Sequence, residues 1–180
     1  CPLPRVIGTW DDGNDGWVSS YGAWKRDASG FMKYWSGTGT SYHKTNYTHY
    51  VTNGDPIDIS KCETVLMKYN VMLSDTDNFE NDADKSERLV LQCSGDNGEN
   101  WQDMKPSSSS PWPPNQSACS NYYCDGGNWP NHRSFEWTAQ TIEMPAACRT
   151  ATARLRFKAW GTDNWRINYW GIDNVIIDDM

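Results

Sequence analysis

Aromatic rings and basic side chains are the groups whose types and spacing best suit recognition chemistry in this chain. Trp112, Tyr122, Tyr123 and Trp129 fall within residues 105–133, a Pro- and Ser-rich stretch with neither helical nor strand period. Trp160, Trp165, Tyr169 and Trp170 fall in or beside a second loop near the C-terminus. Rings held on rigid loops stack on the apolar C–H faces of sugars, while neighbouring Asn, Asp and Arg supply hydrogen bonds. So much ring surface outside a core points to recognition, with Trp112 and Trp129 the leading contacts. Arg154, Arg156 and Lys158 alternate with Leu155, Phe157 and Ala159, which turns the apolar set inward and the basic set outward on a strand. Lys68, Asn70, Met72 and Gln92 take the outward side of their own runs. Together these side chains are expected to floor a shallow polar groove for a sugar or an acidic peptide.

Catalytic constellations are missing from the sequence. His43, His49 and His132 belong to no H-E-x-x-H, and neither a G-x-S-x-G elbow nor a phosphate loop occurs. Asp173 is the carboxylate that needs an explanation. It stands among Ile172, Val175, Ile176 and Ile177, and a bare charge there is too costly unless it is paired, hydrogen-bonded or on a metal. Arg156 is one candidate partner. Asp75, Asp77, Asp82 and Asp84 alternate in the next acidic loop but lack the glycine and terminal glutamate of an EF-hand, so a solvated loop is expected.

The elements that must position these groups read as strands. Thr64–Ser74 alternates, with Val65, Met67, Tyr69, Val71 and Leu73 on one face; Leu89, Leu91 and Cys93 share a face of the next strand. Gly171–Asp178 has apolar residues on both faces, Ile172 and Ile176 against Val175 and Ile177, the pattern of a central strand. Residues 29–54 read as short strands and turns, and Trp17, Trp24 and Trp101 are expected to cover the ends of the fold. Extended runs separated by turn residues, with no amphipathic helix, predict an all-β antiparallel sandwich forming one domain over residues 1–180, with 105–133 as a stapled loop insertion.

Composition bounds the rest. With 180 residues, 11 Trp, 9 Tyr and 4 Phe, the chain has one well-filled core to build. A net charge of −7 without any basic tract argues against nucleic acid. Mean hydropathy of −0.80 and the lack of a long apolar run argue against a membrane span. Six cysteines without a C-x-x-C pair suit disulfides in an oxidising compartment better than zinc. The expected bridges are Cys119–Cys124, a local staple, and Cys62–Cys148, each member of which precedes a strand. Sequons at Asn46 and Asn115 fit a secreted or cell-surface chain. No signal peptide stands at the start, as expected of a mature or excised fragment, and Cys1 reads as a disulfide cysteine or a lipidated terminus.

Three motifs then carry a resemblance. Trp10-Asp11-Asp12-Gly13-Asn14-Asp15-Gly16-Trp17 looks like an opening F-[DE]-x-G…G-W; Ser94-Gly95-Asp96-Asn97-Gly98-Glu99-Asn100-Trp101 matches the Asp-box pattern S-x-D-x-G-x-x-W; Leu155-Arg156-Phe157 with Gly171-Ile172-Asp173-Asn174-Val175 is similar to a closing R-F…[DN]-[DN]-[VI]. In order and separation they resemble the jelly-roll modules grouped around MAM domains, reelin repeats and bacterial adhesion or anchor domains. Trp10 replaces Phe, Asn100 replaces Thr, and the cysteine before Gly-Trp in MAM proper is absent, so the wider group fits better than MAM itself. The resemblance implies a jelly roll in which Asp11, Asp12 and Asp173 share a structural Ca²⁺. By its residues alone the Asp box is a folding device, and a lone copy does not make a sialidase propeller. The reading is a non-catalytic extracellular module that binds carbohydrate through its Trp-bearing loops. The alternatives are a protein–protein adhesion or receptor module on a cell-surface partner, and a small glycoside hydrolase or lyase.

Overall fold

The computed structural model describes residues 4–35, 45–74, 88–104, 135–163 and 169–179. Among them the chain forms β1 (Arg5–Gly8), β2 (Trp17–Ser19), β3 (Trp24–Arg26), β4 (Met32–Trp35), β5 (Thr45–Asn53), β6 (Val65–Ser74), β7 (Arg88–Ser94), β8 (Gln102–Asp103), β9 (Phe135–Glu143), β10 (Arg154–Asp163) and β11 (Tyr169–Asp179). Two short 3-10 turns, Ser20–Gly22 and Ala146–Cys148, are the helical pieces among these residues. The strands make two antiparallel sheets, a disulfide-stapled jelly-roll β-sandwich. The front sheet runs β2-β5-β10-β7-β8; the back sheet runs β3-β4-β11-β6-β9, with β1 also on β11.

Alternation placed the core as the sequence predicts. Val65, Met67, Tyr69, Val71 and Leu73 of β6 are buried, as are Leu155, Phe157 and Ala159 of β10. Tyr69 of the back sheet meets Phe157 of the front sheet edge-on at 5.2 Å, and Trp17 lies 5.9 Å from the same ring. Trp10, Trp17, Trp24 and Trp170 are all core residues, so the first-strand and C-terminal indoles fill the sandwich instead of capping or decorating it. The stretch 29–54, expected as short pieces, instead holds the nine-residue β5, a strand flanked by β2 and β10. Its polar alternation of Thr, Tyr and His hid its length.

The last strand departs from a simple two-faced reading. Opposite β6 the register moves from Asp173↔Asn70 to Ile176↔Lys68, one extra residue on β11, and Asn174 sits at φ 51°. This β-bulge resets the alternation, so that Ile172, Val175 and Ile177 all face the core. The bulge falls where β11 changes neighbour. Tyr169–Ile172 pair with β4 and Val175–Ile177 with β1, both along the same edge.

The Cys62–Cys148 expectation is corrected. Cys148 bonds Cys93, with Cα atoms 6.0 Å apart, because the 3-10 turn before β10 lies over the end of β7, the strand that β10 pairs with. Cys62 is disulfide-bonded too, but not to Cys148. Cys119 and Cys124 lie outside the described residues.

Candidate ligand-binding face

The outer face of the front sheet gathers rings and hydrogen-bonding groups on rigid strands. Antiparallel register sets Arg156 opposite Thr52 on one side and Gln92 on the other, and Lys158 opposite Tyr50 and Val90. The Arg156 guanidinium carbon lies 4.0 Å from the centroid of Tyr50 and 4.1 Å from that of Trp101, so the flat cation is held between two rings. Each such contact contributes about 0.5–2 kcal/mol. Its Nε donates to Gln92 Oε1 at 2.6 Å, and Gln92 Nε2 donates to Asp103 Oδ1 at 2.5 Å. Burial lowers the Arg156 pKa from the usual guanidinium value, against the opposing pull of Tyr50 and Asp103. Next along β10, Lys158 Nζ lies 4.6 Å over the Trp160 ring.

Trp101 reaches this face because of the turn that precedes it. Asp96 accepts from Asn100 N at 2.9 Å, from Ser94 Oγ at 2.7 Å and from Asn100 Nδ2 at 2.7 Å. These donors, the Asn100 backbone first, pull the Asp96 carboxyl down to about 2. Asn97 and Gly98 take positive φ, 59° and 95°, and Trp101 Nε1 closes the turn on Gly98 O at 2.8 Å. Arg154 then ties the turn down. Its Nε donates to Asn97 Oδ1 at 2.7 Å and its Nη1 to the carbonyls of Asn53 and Gly54 at 3.0 and 2.6 Å.

The expected groove is therefore split. Arg154, Arg156, Lys158 and Gln92 do share one face, but Lys68, Asn70 and Met72 lie on β6, in the back sheet. The basic residues also divide their labour: Arg154 is a structural clasp, Arg156 is a sandwiched cation, and Lys158 covers Trp160. Trp160 is half-buried on β10, not on a loop. Trp112, Tyr122, Tyr123, Trp129 and Trp165 lie outside the described residues, as do Asp75–Asp84. Sequence reasoning missed Tyr50 and the contact role of Trp101. The period-two spacing of Thr48, Tyr50 and Thr52 was the available signal for the first, and nothing local signals the second.

Asp173 does not pair with Arg156, since the two belong to different sheets. Among the described residues its Oδ1 and Oδ2 accept only from its neighbour Asn174, N at 2.7 Å and Nδ2 at 3.0 Å. Burial pushes the Asp173 carboxyl up, and the nearby Asp11 carboxylate adds to that, against the Asn174 backbone donor. Two like charges brought together at the bulge suit a hard cation. The carbonyls of Trp10 and Asp11 accept from Arg26 instead, Asp12 is exposed, and no group of three or more His, Cys, Asp or Glu is placed to hold a metal among the described residues. The fit to Ca²⁺ thus rests on the Asp11 and Asp173 carboxylates.

A family model for reelin subrepeat B matches residues 32–178. The chain belongs to the reelin subrepeat B family. The match takes in every strand from β4 to β11, and with them the rings and cations of the front face. No curated protein matches the sequence. Among solved structures, this reelin subrepeat is similar to the K1 cleaved adhesin domain of Lys-gingipain from Porphyromonas gingivalis, with TM-score 0.57, 14% identity, and 99% of each chain covered. It is similar to a carbohydrate-binding module of family 28 specific for non-crystalline cellulose, with TM-score 0.54, 10% identity, and 99% and 96% covered. It is also similar to a family 27 module of Caldicellulosiruptor saccharolyticus solved with mannohexaose, with TM-score 0.51, 10% identity, and 98% and 97% covered. At these identities the likeness is one of fold. No helix among the described residues is long and apolar enough to cross a membrane.

Proposed function

We propose that residues 1–180 form one non-catalytic, secreted or cell-surface module that binds carbohydrate on the outer face of the front sheet. The observation that carries this reading is the run of Trp101, Tyr50 and Trp160 interleaved with Arg156, Gln92 and Lys158. Rings stack on sugar C–H faces, and the polar groups between them meet hydroxyls. Carbohydrate-binding modules and an adhesin domain that share the fold support it by analogy. Trp112, Tyr122, Tyr123, Trp129 and Trp165 belong to the same proposal as further ligand contacts, and a Ca²⁺ at Asp11, Asp12 and Asp173 as its structural ion.

Native gels cast with a panel of polysaccharides test the reading. Migration is expected to slow on at least one polymer, and Trp160→Ala, Trp112→Ala or Trp129→Ala to restore it. Binding indifferent to all three substitutions would sink the assignment of these rings. A protein–protein adhesion module is the second reading. It is favoured by the back face, where Trp137 is 40% exposed and meets Phe31 edge-on at 5.2 Å.

A further inference from the structure

The front face is basic on an acidic molecule. Its described residues include Arg154, Arg156 and Lys158 with Asp103 the one acid among them, while the whole chain carries −7. The back face differs in kind. Two of its cations are neutralised in place, Lys33 by Asp27 at 3.4 Å and Lys68 by Asp178. On the front face neither Arg156 nor Lys158 forms an ion pair among the described residues.

Arg156 is also aimed. Tyr50 and Trp101 both pack against its guanidinium, and Gln92 takes its Nε. The two Nη groups have no acceptor among the described residues. A guanidinium whose plane is locked and whose outer donors are open is a preformed fork for an oxyanion, which it meets with two parallel N–H···O bonds. Because the group is half-buried, such bonds face less competition from water. Lys158, two residues on along the same face and roughly 7 Å along the backbone, adds a second cation beyond it, over Trp160.

We propose that the ligand of this face is an acidic glycan, its carboxylate or sulfate groups clamped by Arg156 and attracted by Lys158. The proposal rests on the carbohydrate reading above and narrows it. Neutral chains use the rings and leave this fork unfilled.

Native gels containing polygalacturonate, chondroitin sulfate, mannan or polyglutamate separate the possibilities. Retardation by polygalacturonate or chondroitin sulfate is expected, weakened by added salt and weakened about tenfold or more by Arg156→Gln. Which of the two polymers retards the protein distinguishes a carboxylate from a sulfate ligand. Lys158→Gln, whose side chain only lies over Trp160, is expected to weaken binding with little change in melting. It keeps the test decisive if Arg156→Gln unfolds. Retardation by mannan alone overturns the acidic assignment and leaves the carbohydrate reading standing. Equal retardation by polyglutamate overturns the carbohydrate reading in favour of an acidic peptide, and no retardation by any polymer overturns both.

Discussion

Asp96 shows how one side chain commits a segment. Its oxygens gather the Asn100 backbone, the Ser94 hydroxyl and the Asn100 amide, which favours the ionised form and holds its pKa down at about 2. The sign of the linkage follows. A carboxyl depressed on folding stabilises the protein above its unfolded pKa of 3.8, and that contribution fades as pH falls toward about 2. Stability measured by urea midpoint is therefore expected to fall across that window, and the fall to be smaller in Asp96→Asn. Equal pH profiles for the two proteins would show that the turn contributes nothing. The residue scale is also where the sequence was most legible. S-x-D-x-G-x-x-W announces a turn because each position has a local job: the acid gathers N–H groups, the glycine takes positive φ, and the indole closes the turn. Arg156 had no such local signature. Its two rings come from a strand and a turn, Tyr50 lying 106 and Trp101 55 residues before it in the chain, and only folding brings them together.

At the scale of elements the bulge in β11 has the largest consequences. It keeps Ile172, Val175 and Ile177 on one face, and it sets Asp173 at the gap where β4 gives way to β1 and near Asp11, just beyond the end of β1. A raised carboxyl pKa reverses the linkage. Folding is unpenalised below 3.8 and loses stability as pH rises through the raised folded value. A bound Ca²⁺ would offset that cost near neutral pH, and so would removal of the charge. Melting is thus expected to rise with millimolar Ca²⁺ and fall with EDTA in the wild type. Asp173→Asn is expected to melt at one temperature in both. A wild-type midpoint unmoved by EDTA leaves the junction without a structural ion. The sequence placed β6, β7 and β10 through strict alternation. It placed β11 as a central strand but misjudged its faces, because a bulge adds a residue without leaving any mark in composition, and it missed β5, whose inward positions include His49 and Asn53 beside Tyr47 and Val51.

For the molecule as a whole, stability rests on contacts between the two sheets. Phe157 of β10 touches Trp17 and the back-sheet Tyr69, and it is fully buried. Phe157→Ala is expected to cost about 3–5 kcal/mol of unfolding free energy, read from chemical denaturation. A loss under about 1 kcal/mol would mean that the two layers do not share this filling. The same sandwich separates two outer faces of different character, one with Lys33 and Lys68 in ion pairs and one where Arg156 and Lys158 form none among the described residues. By itself the sequence determined the class of fold, the inward residues of the alternating strands and the chemistry of the turn at Asp96, since period, propensity and turn preference act between near neighbours. Tertiary structure alone decided that Cys148 bonds Cys93, that Lys68 and Arg156 lie on opposite sides, and that Tyr50 and Trp101 enclose a guanidinium. Those outcomes depend on strand order and register, which are set by how two sheets close over one core and by no stretch of chain taken alone.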